Sequence, residues 1–447
     1  MRTVRTRTDH AHPAGNGTPG SRVQQRAAAT STTRRRLGVV GNAAVTFVQE
    51  FPATFMVIAP FLILILPPAF LNQNPRTGFI VLLAAAAGGT TFVSEWFSRT
   101  VARSRHGLRH RRTVIRRSVE GTSYRSARAS FMVGAALVVL TVAAKVSAAQ
   151  LGIGAIDAQV QGKTGVTGTI GAVVSLLTGF DVIGVALLVW GRLCRGGARV
   201  TFWLLIGGSV VAAFGQALML GITAPAFRYT IFVAVMLLLT GLLTPRAGLM
   251  LALLLVVLWP ALYLVRNAIR MDLGVWVSQD LGAYDRLGYD RQVARAAGFE
   301  PGVDIGQIGA GDIFRFGLIP RILDPDRPPL NTAFLINSEL LGGTSTSAST
   351  FLAAGTALVL LGVGGFLILY LVIGALPSAV FDGPRRPGAY SFCLLAVVVA
   401  GPLDWFSYYP DSIVGSLQQV VYLIPVILMR EIAQRYRWRR PPRGGWT

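Results

Sequence analysis

Apolar stretches of one recurring length constrain this chain more than any other feature. A helix needs roughly 20 mostly apolar residues to cross the hydrocarbon of a bilayer. Ten stretches reach or approach that length: 45–66, 78–97, 130–149, 168–190, 200–221, 228–244, 247–265, 351–375, 389–408 and 412–429. They predict an all-α polytopic membrane protein with about 10 transmembrane helices, in a range of 10–12, the first kinked at Pro52 and Pro60. The 447 residues are 52% hydrophobic and only 14% charged, which agrees with this class and excludes a soluble domain.

The net charge of +22 invites a nucleic-acid reading, and the distribution of the charge rejects it. The arginines gather in the N-terminal tail, in 99–128, in 192–199, at 385–386 and after 430, always beside apolar blocks. Cytoplasmic flanks of membrane helices carry such an excess. Ten crossings put all of these segments on one side, so both termini are expected in the cytoplasm. Contact of the basic segments with anionic headgroups is a further expectation, making membrane lipids one predicted partner. The chain then divides into a basic, disordered tail (1–36), seven spans (37–265), one large extracytoplasmic loop (266–350), three spans (351–430) and a second basic tail (431–447). The first apolar block is too long for a cleavable signal peptide and reads as an uncleaved span. The pattern suits a bacterial plasma membrane.

The loop 266–350 is the only long polar segment between apolar blocks, with eight arginines, ten carboxylates and no lysine or histidine. Residues 278–297 predict an amphipathic helix capped by Ser278, acids early and arginines late, with a solvated charged face. The glycines of GVDIGQIGAGD follow no nucleotide-binding spacing and predict a flexible connection. Short or re-entrant helices can lie within 301–323. In GDIFRFGLIPRILDPDRPPLNT, prolines stiffen the chain between Asp312, Arg315, Arg321, Asp324, Asp326 and Arg327. A surface loop with internal ion pairs explains that pattern without chemistry.

Some charges are chemically pointed. Arg228 stands at the outer mouth of the sixth span, and Arg266 and Arg270 stand one helical turn apart at the outer end of the seventh. Each can snorkel to the headgroups; together they suit a lipid-linked diphosphate, whose oxygens match a planar guanidinium. Asp181 lies inside the fourth span, where an acid is functional by default or pairs with a base such as Lys145. Asp404 and Lys145 lie near outer ends, where they can face one cavity. Cys194 and Cys393 make no framework, and no ligand spacing implies a metal, so neither metal nor cofactor is expected.

IPRILDPDRPPLN resembles a motif in the main extracytoplasmic loop of the O-antigen polymerase-like proteins. The Ser/Thr/Gly-rich LLGGTSTSASTF, the Gly-rich helix LVLLGVGGFLILYLVIG and the outer Arg228 extend the similarity. The stretch TFLAAGTA lacks the acid and tyrosine that such proteins often carry there. The related O-antigen ligases use an extracytoplasmic histidine, and His10, His12, His106 and His110 all lie in basic cytoplasmic segments. The resemblance implies a metal-independent glycosyltransferase that polymerises polyprenyl-diphosphate-linked oligosaccharide repeats. Arg228, Arg266, Arg321 and Arg327, with Arg270 and Arg315 in reserve, would stabilise the diphosphate leaving group. Asp326, Asp312 or Glu339 would take the acceptor proton. Flippase and chain-length regulator proteins are the implied protein partners. A transporter or flippase of a lipid-linked glycan, pointed to by Asp181 and Lys145, is the alternative from another class, and a non-catalytic envelope scaffold is a third.

Overall fold

The computed structural model describes residues 46–106, 115, 118–153, 169–274, 282–284, 287–306, 309–319, 323–324, 330, 332–343, 350–381, 388–406 and 408–435. The expected tail 1–36, residues 436–447 of the expected tail 431–447, and residues 107–114, 116 and 117 of the basic loop 99–128 lie outside them. No strand occurs among the described residues. Eight helices there are long and apolar enough to cross a membrane, and two shorter apolar helices, Ala224–Leu239 and Ala389–Ala400, fill the remaining predicted places. The chain is a multi-pass, all-α membrane protein.

The first span is three pieces. Helix α1 (Pro52–Pro60) starts at Pro52, a π-helical turn follows over Phe61–Ile65, and α2 (Leu66–Leu71) ends it. Proline lacks an N–H and crowds the preceding turn, so Pro60 forces the ladder to widen after it. The break before α1 leaves backbone donors inside an apolar layer, which must be satisfied within the protein. Glu95, fully buried on α3 (Thr77–His106), meets them: its carboxylate accepts from the Thr54 N–H at 2.9 Å and the Thr54 hydroxyl at 2.9 Å. Arg99, one turn on, pairs with the buried Glu50.

Helix α4 (Tyr124–Gln150) packs most extensively on the broken fourth span, α5 (Thr169–Thr178) and α6 (Asp181–Leu193). Small residues make that approach possible. A Cβ on Gly134 would lie 2.4 Å from the Leu188 nitrogen, and one on Gly191 would lie 2.5 Å from the Phe131 nitrogen. In lipid, where apolar surface gains little by leaving its surroundings, close backbone approach of this kind drives association. Residues 176–193 are 61% buried and form the centre of the bundle. Helix α7 (Arg199–Met219), α8 (Ala224–Leu239) and α9 (Pro245–Asp272) follow, and α9 is only 11% buried, so it lies at the lipid-facing rim.

Between α9 and the next span come α10 (Tyr289–Arg295) with a 3-10 turn over Ala296–Gly298, α11 (Ala310–Leu318), and α12 (Thr332–Leu335) running into a second π turn. The predicted amphipathic helix is therefore shorter than 278–297. It begins after Gly288, whose backbone is not helical, and Ser278 lies outside the described residues. Nor is its charged side all solvated: Asp290 is fully buried and accepts from the Asn74 side-chain amide at 3.0 Å. Tyr284, within the predicted stretch, is exposed.

The eighth span also departs from expectation. Helix α13 (Leu352–Phe381) is two helices joined at Gly362, where φ 68° and ψ 178° reverse the chain. If it were continuous, Ala353 and Tyr370 would stand about 25 Å apart at 1.5 Å per residue. Instead they line the same two cavities. Residues 352–361 fold back under the loop, where the N–H groups of Gly302 and Val303 both reach the Val359 carbonyl, and 363–381 cross the bundle against α3. Helix α14 (Ala389–Ala400) and α15 (Asp411–Arg435) complete the bundle.

Polar ties mark its two ends. At one end, called the loop face here, Arg270 on α9 donates to the Gly221 carbonyl after α7, and Arg228 on α8 reaches the 401–410 turn. At the other end Gln49 donates to Leu239, Arg128 to Gly196, and Arg430 to Ser130. Residues 49–50 and 430 thus lie at one end, as an even number of crossings requires. Helix α15 bonds to every neighbouring layer. Arg430 holds Ser130 on α4 and Tyr390 on α14, Gln419 donates to the Gly179 carbonyl at the α5–α6 break, and Asp411 accepts from Thr332 on α12.

Candidate functional site

The site grows from the loop-face end of α8. Pro225 starts that helix within its first two positions, and Arg228 follows in its second turn. Its guanidinium Nε lies 3.3 Å from the Asp404 carboxylate, and Nη2 donates to the Phe406 carbonyl. The Arg228 side chain keeps 36% of its surface exposed, whereas Asp404 keeps 10%. Asp404 sits in the turn after α14, where its Oδ1 accepts from the Phe406 N–H at 3.2 Å. Burial pushes its carboxyl above the ordinary range; Arg228 and the Phe406 N–H oppose that shift and do not cancel it. Further along the turn, the Tyr408 phenol is pushed up by burial and by the negative charge of Asp411. Asp411 opens α15 and accepts from the Thr332 hydroxyl at 2.8 Å. Arg228 acts electrostatically on both Tyr408 and Asp411, so α8, α12, α15 and the 401–410 turn share one polar cluster.

Below it lies a cavity of about 30 Å³, lined among others by Pro60 beside the π turn, Leu352 of the folded-back segment, Tyr370, Asp404 and Trp405. That volume suits a water molecule. Trp405 lines the cavity, and its buried Nε1 has no acceptor among the described residues. The ring of Tyr289 on α10 packs 5.5 Å from that of Phe406 and covers the turn; burial pushes its phenol up to about 12.

A second ion pair lies next to the first. The Lys145 Nζ is 3.2 Å from Asp181 Oδ2, and both side chains are largely buried. Lys145 also stands 3.8 Å from the centre of the Tyr229 ring, and Tyr229 follows Arg228 in α8. Asp181 begins α6, and its other oxygen accepts from the Val182 N–H at 2.7 Å. The pairing open to Asp181 and Lys145 in the sequence is therefore the one found.

The remaining candidates hold separate partners. Arg266 is buried, bonds the Asn267 side chain at 2.7 and 3.2 Å, and stacks 4.7 Å from the Tyr263 ring. Arg270, one turn away, donates to Gly221 at 2.6 Å. Arg315 makes a two-toothed pair with Asp324, both contacts at 2.8 Å, and Asp312 is half-buried in the same helix. Glu339 is exposed and accepts from Ser338 at 3.2 Å. Arg321, Asp326 and Arg327 lie outside the described residues. No three potential metal ligands come together among the described residues.

The sequence hid the partnership of Arg228 with Asp404, and the roles of Tyr408, Asp411 and Thr332. Asp404 lies in GPLDWF at the end of an apolar block, where an acid can equally be solvated, and only the turn after α14 brings it under Arg228. Glu50, Glu95 and Arg99 had a readable signal, acids and a base within or beside apolar blocks, because such groups require partners. No protein-family model, curated protein or solved structure matches this chain.

Proposed function

We propose that this chain is a membrane glycosyltransferase of the O-antigen polymerase-like kind. In this reading it sits in a bacterial plasma membrane with its loop face outside and both termini in the cytoplasm. It polymerises polyprenyl-diphosphate-linked oligosaccharide repeats into a surface or exported polysaccharide, without a metal. One observation carries the reading: a part-exposed guanidinium, Arg228, at the loop face beside a buried carboxylate, Asp404. The acceptor sugar hydroxyl attacks the anomeric carbon of the donor. The bond from that carbon to the diphosphate oxygen breaks, and the lipid diphosphate leaves with the bonding electrons. Fixed guanidiniums lower the cost of the charge that develops there. Arg228 is the first such group; Arg266 and Arg270 at the same face, and Arg315, Arg321 and Arg327 in the loop, are its proposed helpers. The hydroxyl proton passes to a carboxylate. Asp404 suits this step because burial raises its affinity for a proton, and it joins Asp312, Asp326 and Glu339 as a proposed base. The lipid-linked donor and acceptor, a flippase and a chain-length regulator are the proposed partners.

A second reading, transport of a lipid-linked glycan, draws support from the Lys145–Asp181 pair beside the break between α5 and α6. One experiment separates the two. Lipid-linked glycans are extracted from a strain lacking the chain and from strains carrying wild type, Arg228→Ala or Asp404→Asn. The polymerase reading expects single repeat units to accumulate in the outer leaflet and wild type alone to restore long chains. Repeat units confined to the inner leaflet support transport instead. Unchanged long glycan in a strain with no second polymerase discards both.

A further inference from the structure

Helix α11 lies beside α15 at a depth that a solvated loop does not reach. From Asp411 to Met429, α15 runs 19 residues (429 − 411 + 1). That is about 28 Å at 1.5 Å per residue, close to the roughly 30 Å of bilayer hydrocarbon. Gln418, seven residues in, therefore lies about 10 Å below Asp411. Its side-chain amide donates to the Phe316 carbonyl of α11 at 2.9 Å. One residue on, a Cβ on Gly317 would lie 2.6 Å from the Leu417 Cβ, so the end of α11 is pressed into α15 at that level. Ile313 and Phe316 bury this inner face against Val414.

The outer face of α11 is apolar and uncovered. Phe314 is 59% exposed and Leu318, one turn on, 48%. The charge between them, Arg315, is held in its two-toothed pair with Asp324. Below, α15 exposes Ile424 and Leu428, the kind of surface that a spanning helix turns to lipid. The bond from Gln418 has the same logic: a carbonyl at a helix end has no water to turn to inside hydrocarbon and must be satisfied by the protein.

We propose that α11 is inserted in the bilayer, with Phe314 and Leu318 covered by lipid of the leaflet that borders the loop face. Residues 266–350 are then not wholly an aqueous loop; Arg315 enters the leaflet with its charge held in the pair with Asp324. This placement stands independently of the glycan reading. The test uses full-length protein in proteoliposomes, with Cys194→Ser and Cys393→Ala as background. Nitroxide labels at Phe314→Cys and Leu318→Cys are compared with Leu428→Cys for lipid and Asp304→Cys for water. Dissolved oxygen partitions into lipid and a nickel chelate stays in water, so their collision rates report the surroundings of each label. The expected result is that both α11 labels collide more with oxygen than with nickel, as Leu428→Cys does, and that Asp304→Cys shows the reverse. Nickel-dominated collisions at 314 and 318 would overturn the proposal. Exclusion of both reagents would overturn it too, since a second copy or another protein would then cover the face. Two labels one turn apart keep the outcome independent of either variant's folding.

Discussion

Among single residues, the two ion pairs under the loop face make the sharpest claims. Lys145 and Asp181 are both largely removed from water, so deleting one charge strands the other. Lys145→Ala is expected to destabilise the protein by about 3–5 kcal/mol, and the double change Lys145→Met/Asp181→Leu by less than that single one. Chemical unfolding in detergent micelles measures both. Asp404 yields a pH signature. Its carboxyl is raised by burial, so the folded protein keeps that proton to higher pH than the unfolded chain, whose value is about 3.9. The stability linked to it is full below about pH 4 and is lost as pH rises through the folded value. Melting profiles between about pH 4 and pH 7 should show wild type falling relative to Asp404→Asn as pH rises; parallel profiles would refute this. The pairing of Lys145 was readable in the sequence because a charge inside an apolar block has to find an opposite one. That of Arg228 was not, because its partner lies 176 positions away (404 − 228), beyond the end of another span.

For whole elements, local apolar length reveals the crossings, and long-range packing sets their shape. All ten blocks became helices or parts of helices because the bilayer length rule acts on each segment alone. The fold-back at Gly362 was invisible, since an unbroken apolar run of that length reads as one span. The loop, through Gly302 and Val303 bonded to Val359, and the core packing of Leu352, Ala354 and Ala357 hold the chain in its reversed path. With φ 68° and ψ 178°, Gly362 occupies backbone territory that is nearly closed to other residues. Gly362→Ala should therefore cost about 1–3 kcal/mol. Gly364→Ala, with open space around its Cβ, should cost nothing measurable and serves as the control in the same thermal unfolding series. A straight helix would make the two variants equal. The close approach of α4 and α6 gives another handle. A Cβ on Gly191 meets Phe131 backbone, which cannot swing aside, so Gly191→Ala should destabilise more than Gly207→Ala, which faces open space.

For the whole molecule, the described residues begin and end at one end of the bundle and the charge pattern is asymmetric, and together these predict sidedness. Intact cells treated with a thiol reagent that cannot cross the membrane should label Asp304→Cys, and should label Ser104→Cys, in the basic segment, only after lysis. The reverse pattern would invert the proposed topology and remove the diphosphate reading with it. This expectation rests on arginine placement, which is a property of the chain as written. Polar ties between layers were not legible, since they join residues far apart in the chain, and several converge on α15. That convergence sets an order of assembly. Helix α15 supplies the bonds to Gly179, Thr332, Ser130 and Tyr390, yet it is the last of these segments to leave the ribosome. Until it arrives, the Thr332 and Tyr390 hydroxyls and the Gly179 carbonyl lack these partners. The bundle is thus closed from its C-terminal end, and a chain stopped before Asp411 should enter the membrane, remain unsealed and be cleared by membrane proteases.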